Sequence, residues 1–114
     1  MSYCTEAQLT AATGSLLGSA ILAEVIAAGD REMVALLGKH GLAGGGGDII
    51  TQAAVHLCSA ILIDRGLQTG DYGATAGKAE DAALHRRVAD EMVGTYAAQS
   101  TSSKNTIRVY KVNR

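Results

Sequence analysis

Only a few residues in this chain have side chains suited to catalysis or ligation. There are three histidines, His40, His56 and His85, and two cysteines, Cys4 and Cys58. A metal centre or an activated nucleophile needs such groups at ligand spacings or beside a partner base. The three histidines fall on three different predicted elements with no ligand spacing among them, and no HExxH or GxSxG run occurs. His56 reads as a core or interface histidine. Cys4 and Cys58 lie far apart, neither sits in a CxxC pair, and they read as two reduced thiols. Two glycine-rich stretches invite a phosphate-binding reading, and both fail it. The run Gly44, Gly45, Gly46 and Gly47 lacks the Lys and Ser/Thr that follow a P-loop, and GATAGKA (Gly73 to Ala79) is one residue short between its glycines and ends in Ala79. The expectation is a protein with no catalytic residue, no metal ligand and no cofactor, and not an enzyme.

The elements that carry these residues are built from small side chains. Of 114 residues, 20 are Ala and 14 are Gly, while Leu, Ile and Val together number 25. Phe, Trp and Pro are absent and the aromatics are four Tyr. Such a core is thin and aliphatic, and thin cores gain stability from neighbouring subunits. No apolar run reaches the length of a transmembrane helix, and no basic stretch precedes an apolar one as in a signal peptide.

Periodicity and caps predict helices. Thr5 and Gln8 fit a capping box opening a short helix to Thr13, which Gly14 ends. Leu22, Val25, Ile26, Gly29, Met33, Leu36 and Leu37 mark one face of a helix from about Ser19 to His40, where Gly29 permits a bend or a close crossing. Gly44, Gly45, Gly46 and Gly47 then form a flexible hinge. Asp48 is the expected N-cap of a helix to about Arg65, with Gly66 as terminator. Ile50, Ala53, Ala54, Leu57, Cys58, Ile61 and Leu62 form its main face, and Ile49, Ala60 and Ile63 make the other side apolar too. A helix apolar nearly all round is central to a bundle or shared with a neighbour, which makes Ile49 and Ile63 candidate interface residues. After a loop from Gly66 to Gly77, a helix from Ala79 to Ala98 is expected to point Asp81, Leu84, Val88, Met92 and Tyr96 inward. His85, Arg86 and Arg87 form a basic patch beside that line, read as a solvated face or an intersubunit salt bridge.

The pattern changes near residue 100. Residues 1–99 carry 6 basic and 11 acidic side chains, net −5, whereas 100–114 carry Lys104, Arg108, Lys111 and Arg114 with no acid, net +4. A polar linker over 99–105 leads into period-2 alternation in which Thr106, Ile107, Arg108, Val109, Tyr110, Lys111 and Val112 read as a strand. A lone strand must satisfy its backbone elsewhere, and the edge of another subunit or protein is the natural destination. The reading is therefore an all-α domain over 1–99, a small bundle of about four helices with a glycine-rich loop, and an extended β-strand tail over 100–114.

The order of segments resembles a known family. Tyr3-Cys4-Thr5-Glu6-Ala7-Gln8-Leu9 opens a capped helix, and Leu36 to Leu42 (LLGKHGL) closes an amphipathic one. A loop follows, then Asp48 to Ala54 (DIITQAA) leads into Ala60 to Gly66 (AILIDRG). Over residues 3–66 this resembles the small head–tail connector (adaptor, or head-completion) proteins of tailed bacteriophages. The resemblance implies a virion structural protein at the head–tail interface, made in the host cytoplasm. It implies a homo-oligomeric ring of twelve copies under the portal protein, joined to a tail or stopper protein, with DNA passing through the lumen without sequence-specific contacts. The acidic body is consistent with a weakly repellent lumen. No membrane partner is implied, and no functional residue carries over from the family. The alternative is a small helical nucleic-acid-binding or regulatory protein using His85, Arg86, Arg87 and the basic tail.

Overall fold

The computed structural model describes residues 2–15, 17–67 and 79–112, with residues 79 and 101–112 described as helical backbone only. Four helices follow in order, α1 (Glu6–Thr13), α2 (Ser19–Lys39), α3 (Asp48–Asp64) and α4 (Ala79–Val112), with no strand among the described residues. The loop containing Gly73 to Lys78 of the GATAGKA run lies outside the described residues.

The local signals set the first three helices. At α1 both arms of the capping box form: the Gln8 N–H donates to Thr5 Oγ1 at 3.1 Å and the Thr5 N–H to Gln8 Oε1 at 2.8 Å. Gly14 adopts the left-handed conformation that ends the helix. The Tyr3 N–H donates to Asp30 Oδ1, and the Ser19 hydroxyl donates to Glu6 Oε1, so the N-terminal segment is tied to α2 at two points. One boundary moves by a residue. Gly47, at φ 94°, is the N-cap of α3, and Asp48 is its first helical residue, where its carboxylate still suits the positive helix end.

The core lies around α3. From Ala53 to Ile63 every residue but Val55 and His56 is buried, and α4 is the helix that covers α3 most extensively. The all-round apolar helix is thus central to its own bundle, and α2 and α1 cover its remaining sides. Cys4, Leu9, Val25, Met33, Leu37 and Leu57 fill the space between them.

One expectation changes, and two others gain detail. The inward face of α4 is Ala82, Ala89, Val93 and Ala97, not the line through Leu84; Leu84 is 48% exposed, while Val88, Met92 and Tyr96 are half-buried. The reason is steric. Alanines let two helix backbones approach closely, so that face is the one α4 turns to α3, and the longer side chains are pushed to the margin.

Next, the four glycines expected to act together as a hinge have different surroundings. Gly44, Gly45, Gly46 and Gly47 do join α2 to α3 outside either helix. A Cβ on Gly44 or Gly46 would meet nothing within 4 Å, so these two face open space and fit a plain connecting loop. Gly45 differs. A Cβ there would lie 3.2–3.3 Å from Tyr96, Ile50 and Leu37, so the missing side chain lets the loop lie directly on the core. Gly47 supplies the positive φ at the start of α3. A Cβ on Gly47 would likewise meet nothing within 4 Å, so Gly45 alone of the four lies directly against the core, and the hinge role of the run stands as a proposal.

Finally, α4 continues past Ala98, so the expected boundary at 99/100 falls inside a helix that covers the Thr106–Val112 segment. Side chains from 101 onward lie outside the described residues, and the strand is retained only as a proposal for the assembled state.

Candidate functional site

The fold brings together the residues that sequence spacing kept apart. His56 on α3 and His85 on α4 place their Nδ1 atoms 2.9 Å apart, with ring centroids separated by 5.2 Å and ring planes tilted by 38°. One Nδ1–H donates and the other Nδ1 accepts, so the two rings carry opposite tautomers. Burial pushes both pKa values below the usual imidazole value. The neighbouring ring adds to this at His56, while Asp81, one turn earlier on α4, opposes it at His85. Both rings are therefore neutral at neutral pH.

This pair lines an open cleft of about 540 Å³ between α1, α3 and α4. Gln8, Asp48, Gln52 and Ser59 give the cleft its polar wall. The Ser59 hydroxyl is committed to the Val55 carbonyl at 2.8 Å.

The next residue of α4 faces the other way. Arg86 donates from Nε and Nη2 to the two carboxylate oxygens of Glu32, each at 3.0 Å, and from Nη1 to Asp64 at 2.6 Å. Hydrogen bonds donated to Glu32, reinforced by those to Asp64, raise the guanidinium pKa further, so the charge is permanent. One side chain thus joins α2, α3 and α4. The expected basic patch is an internal ion-pair network at this position, not a bare cationic face or an intersubunit bridge. One turn further along, Asp90 accepts from Lys39 Nζ at 3.0 Å and pairs with His40 Nε2 at 2.7 Å, fastening the end of α2 to α4. These contacts, His40 first, hold the Asp90 carboxyl below its usual pKa.

Cys4 and Cys58 are also neighbours, with Sγ atoms 3.9 Å apart and both thiols buried and free. Their mutual hydrogen bond and burial push Cys58 far above the usual thiol range, so it is inert at neutral pH.

Of the expected interface residues, Ile49 is half-buried and packs on the main core. Ile63 is 7% exposed and clusters with Ala60 and Ala82. The second apolar side of α3 is covered from within the chain, by the start of α4, which removes the reason for assigning Ile63 to a neighbouring subunit. Thr106, Ile107, Arg108, Val109, Tyr110, Lys111 and Val112 lie on the last two turns of α4, with side chains outside the described residues. The sequence missed the histidine pair, the thiol pair and the Arg86 network for one reason: each joins elements 22 to 54 residues apart. His85 and Arg86 are consecutive, yet they serve opposite sides of α4. Among the described residues no helix is long and apolar enough to cross a membrane. Comparison with protein-family models, curated proteins and solved structures finds no match to this chain.

Proposed function

We propose that this chain is a head–tail connector of a tailed bacteriophage, a structural subunit that assembles as a ring under the portal and extends the DNA channel. The observation that carries the reading is α4. At about 51 Å it is twice as long as α3, at about 26 Å, and among its described side chains, which run to Ser100, the last buried one is Ala97. The remaining turns bear Lys104, Arg108 and Lys111, while the body they extend from is acidic. Opposite charge on two separate patches of one chain favours a head-to-tail contact between copies, and such contacts close into rings. In the assembled particle, Thr106–Val112 exchanges helix for an added strand on a neighbour, with Ile107 and Val109 filling apolar pockets.

The resemblance over residues 3–66 supports the same reading, because its segments fall on α1, α2 and α3, which pack together around one core. The alternative of a nucleic-acid-binding protein loses its main support at Arg86, whose charge is spent on Glu32 and Asp64.

Native mass spectrometry of the full chain, alone and with portal protein, is compared with a chain ending at residue 99. The full chain is expected to form rings or to join the portal, and the shortened chain to stay folded and monomeric. Rings from the shortened chain, or a monomeric full chain with salt-dependent DNA affinity, would overturn the proposal.

A further inference from the structure

We propose that Cys4 and Cys58 are the site of an intramolecular disulfide, formed by exchange with a small external disulfide such as oxidised glutathione and joining the segment ahead of α1 to the middle of α3. Proximity is the first argument. The two sulfurs lie 3.9 Å apart, although the residues are 54 positions apart in the chain. A disulfide holds its sulfurs at about 2.05 Å, so an approach of about 1.9 Å remains. Cys4 can supply that movement. It precedes the N-cap Thr5 and lies outside every helix, so a rotation of its side chain and a small backbone shift break no helical hydrogen bond.

The surroundings of Cys58 fix the position of its sulfur, which is the second argument. Cys58 lies within α3, in the main core, and is 1% exposed. The α2 backbone passes so close at Gly29 that a Cβ there would lie 2.5 Å from Cys58 Sγ, and the Val25 carbonyl lies 3.9 Å from the same sulfur. The pairing is also unambiguous. These are the two cysteines of the chain, so one intramolecular bond is possible. Both are buried in the closed fold, which keeps them from the thiols of a second copy.

The bond forms by two thiol–disulfide exchanges. The Cys4 thiolate attacks one sulfur of oxidised glutathione, whose S–S bond breaks, and one glutathione thiolate leaves. The Cys58 thiolate then attacks the Cys4 sulfur of the mixed disulfide, and the second glutathione leaves. Two protein thiols are oxidised by two electrons, one external disulfide is reduced to two thiols, and the protons of Cys4 and Cys58 end on the two glutathiones. Both sulfurs are covered in the closed fold, so the exchange runs while the chain folds or opens. Linkage is the third argument. Folding brings the sulfurs together and favours the bond, and the bond closes a long loop and favours the fold. The product ties the N-terminal segment to α3, beside the hydrogen bond from Tyr3 to Asp30 that ties it to α2. A glutathione-reducing compartment keeps the pair as thiols, and oxidising surroundings close it.

The test refolds the full chain from its reduced, denatured form at pH 8 in glutathione buffers of graded oxidised-to-reduced ratio, then alkylates the free thiols and weighs the products by mass spectrometry. In the oxidising buffers the chain is expected to lose about 2 Da, to escape alkylation, and to yield one peptide pair joined through Cys4 and Cys58. Half-reduction of the bond should require a glutathione ratio at least about tenfold more reducing for the folded chain than for the same chain in guanidinium. The oxidised protein should melt about 5 °C or more above the reduced one. Every reading is made on the unsubstituted chain, so the test does not depend on a variant that folds. Free thiols at every ratio, glutathione adducts or cross-linked dimers in place of the internal bond, a bond no harder to reduce in the folded chain than in guanidinium, or an oxidised chain that melts no higher than the reduced one would overturn the proposal.

Discussion

Gly29 offers the sharpest test of the packing between α2 and α3. A Cβ built on Gly29 would lie 2.5 Å from the Cys58 Sγ, well inside the roughly 3.5–4.0 Å of an ordinary non-bonded contact. Cys58 cannot yield easily, because it is 1% exposed and its sulfur already faces Cys4 Sγ and the Val25 carbonyl, each at 3.9 Å. Two opposing effects then fix the sign of Gly29→Ala. Alanine gains about 1 kcal/mol in a helix interior, and overpacking a filled core costs about 1–3 kcal/mol. The net expectation is a loss of up to about 2 kcal/mol. In a Cys58→Ala background the obstructing atom is gone, the new methyl occupies its place, and the helix preference alone remains. Gly29→Ala should there stabilise by about 0.5–1 kcal/mol. The substitution therefore changes sign between backgrounds, with a coupling of about 1–3 kcal/mol. Guanidinium unfolding followed by circular dichroism at 222 nm measures all four corners of the cycle. Effects of Gly29→Ala equal within about 0.5 kcal/mol in both backgrounds would mean that α2 and α3 do not meet through this contact.

Other expectations follow from the same geometry. Arg86→Ala should lower stability by about 1 kcal/mol, since Arg86 and its two partners, Glu32 and Asp64, are each partly exposed, and Arg86→Lys should not restore it, because an ammonium cannot span both Glu32 oxygens; thermal melts at low and high salt check this, and full recovery with Lys would contradict the bidentate geometry. Stability should fall as pH drops below about 6.5, because the unfolded histidines take up protons there while His56 and His85, with lowered pKa values, resist doing so until lower pH. Replacing both with Gln should flatten that part of the profile, measured by midpoint shifts between pH 7.5 and 5. Both thiols should be unreactive toward a chromogenic disulfide reagent in the native protein and react fully in denaturant; rapid native labelling would show that the space around Cys4 and Cys58 opens.

What could be read from the sequence was whatever the chain states locally. The capping box of Thr5 and Gln8, the end of α1 at Gly14 and the span of α2 depend on residues within a few positions of each other, and they formed as expected. The all-round apolarity of α3 likewise announced a helix buried on several sides, and Gly29 a close crossing. The glycine run was legible as a connection but not in its parts, because what separates Gly45 from Gly44 and Gly46 is Tyr96, which comes from α4. The face of α4 was not legible either. Leu84, Val88, Met92 and Tyr96 make the larger hydrophobic stripe, but a neighbouring helix selects for fit, and Ala82, Ala89 and Ala97 fit against α3. Side-chain size, not hydrophobicity, decided the rotation of that helix. The candidate site was illegible for the same reason. His56 and His85 meet only because α4 is turned to put its alanines inward, which places His85 at the margin of the α3 contact.

The rotation also explains why one short stretch of α4 carries so much of the fold. With Ala82 and Ala89 inward, His85 meets His56 on α3, Arg86 reaches α2 and the end of α3, and Asp90 holds the end of α2. The stretch from 85 to 90 therefore anchors α4 to both of the other long helices. Beyond it the buried face continues, among the described side chains, through Val93 and Ala97. A chain cut after residue 99 loses none of these anchors, so its melting temperature should stay close to that of the full chain even if assembly is lost. A large drop would place part of the folding energy in the last turns of α4, and those turns would then belong to the body and not to an arm free to engage a neighbour.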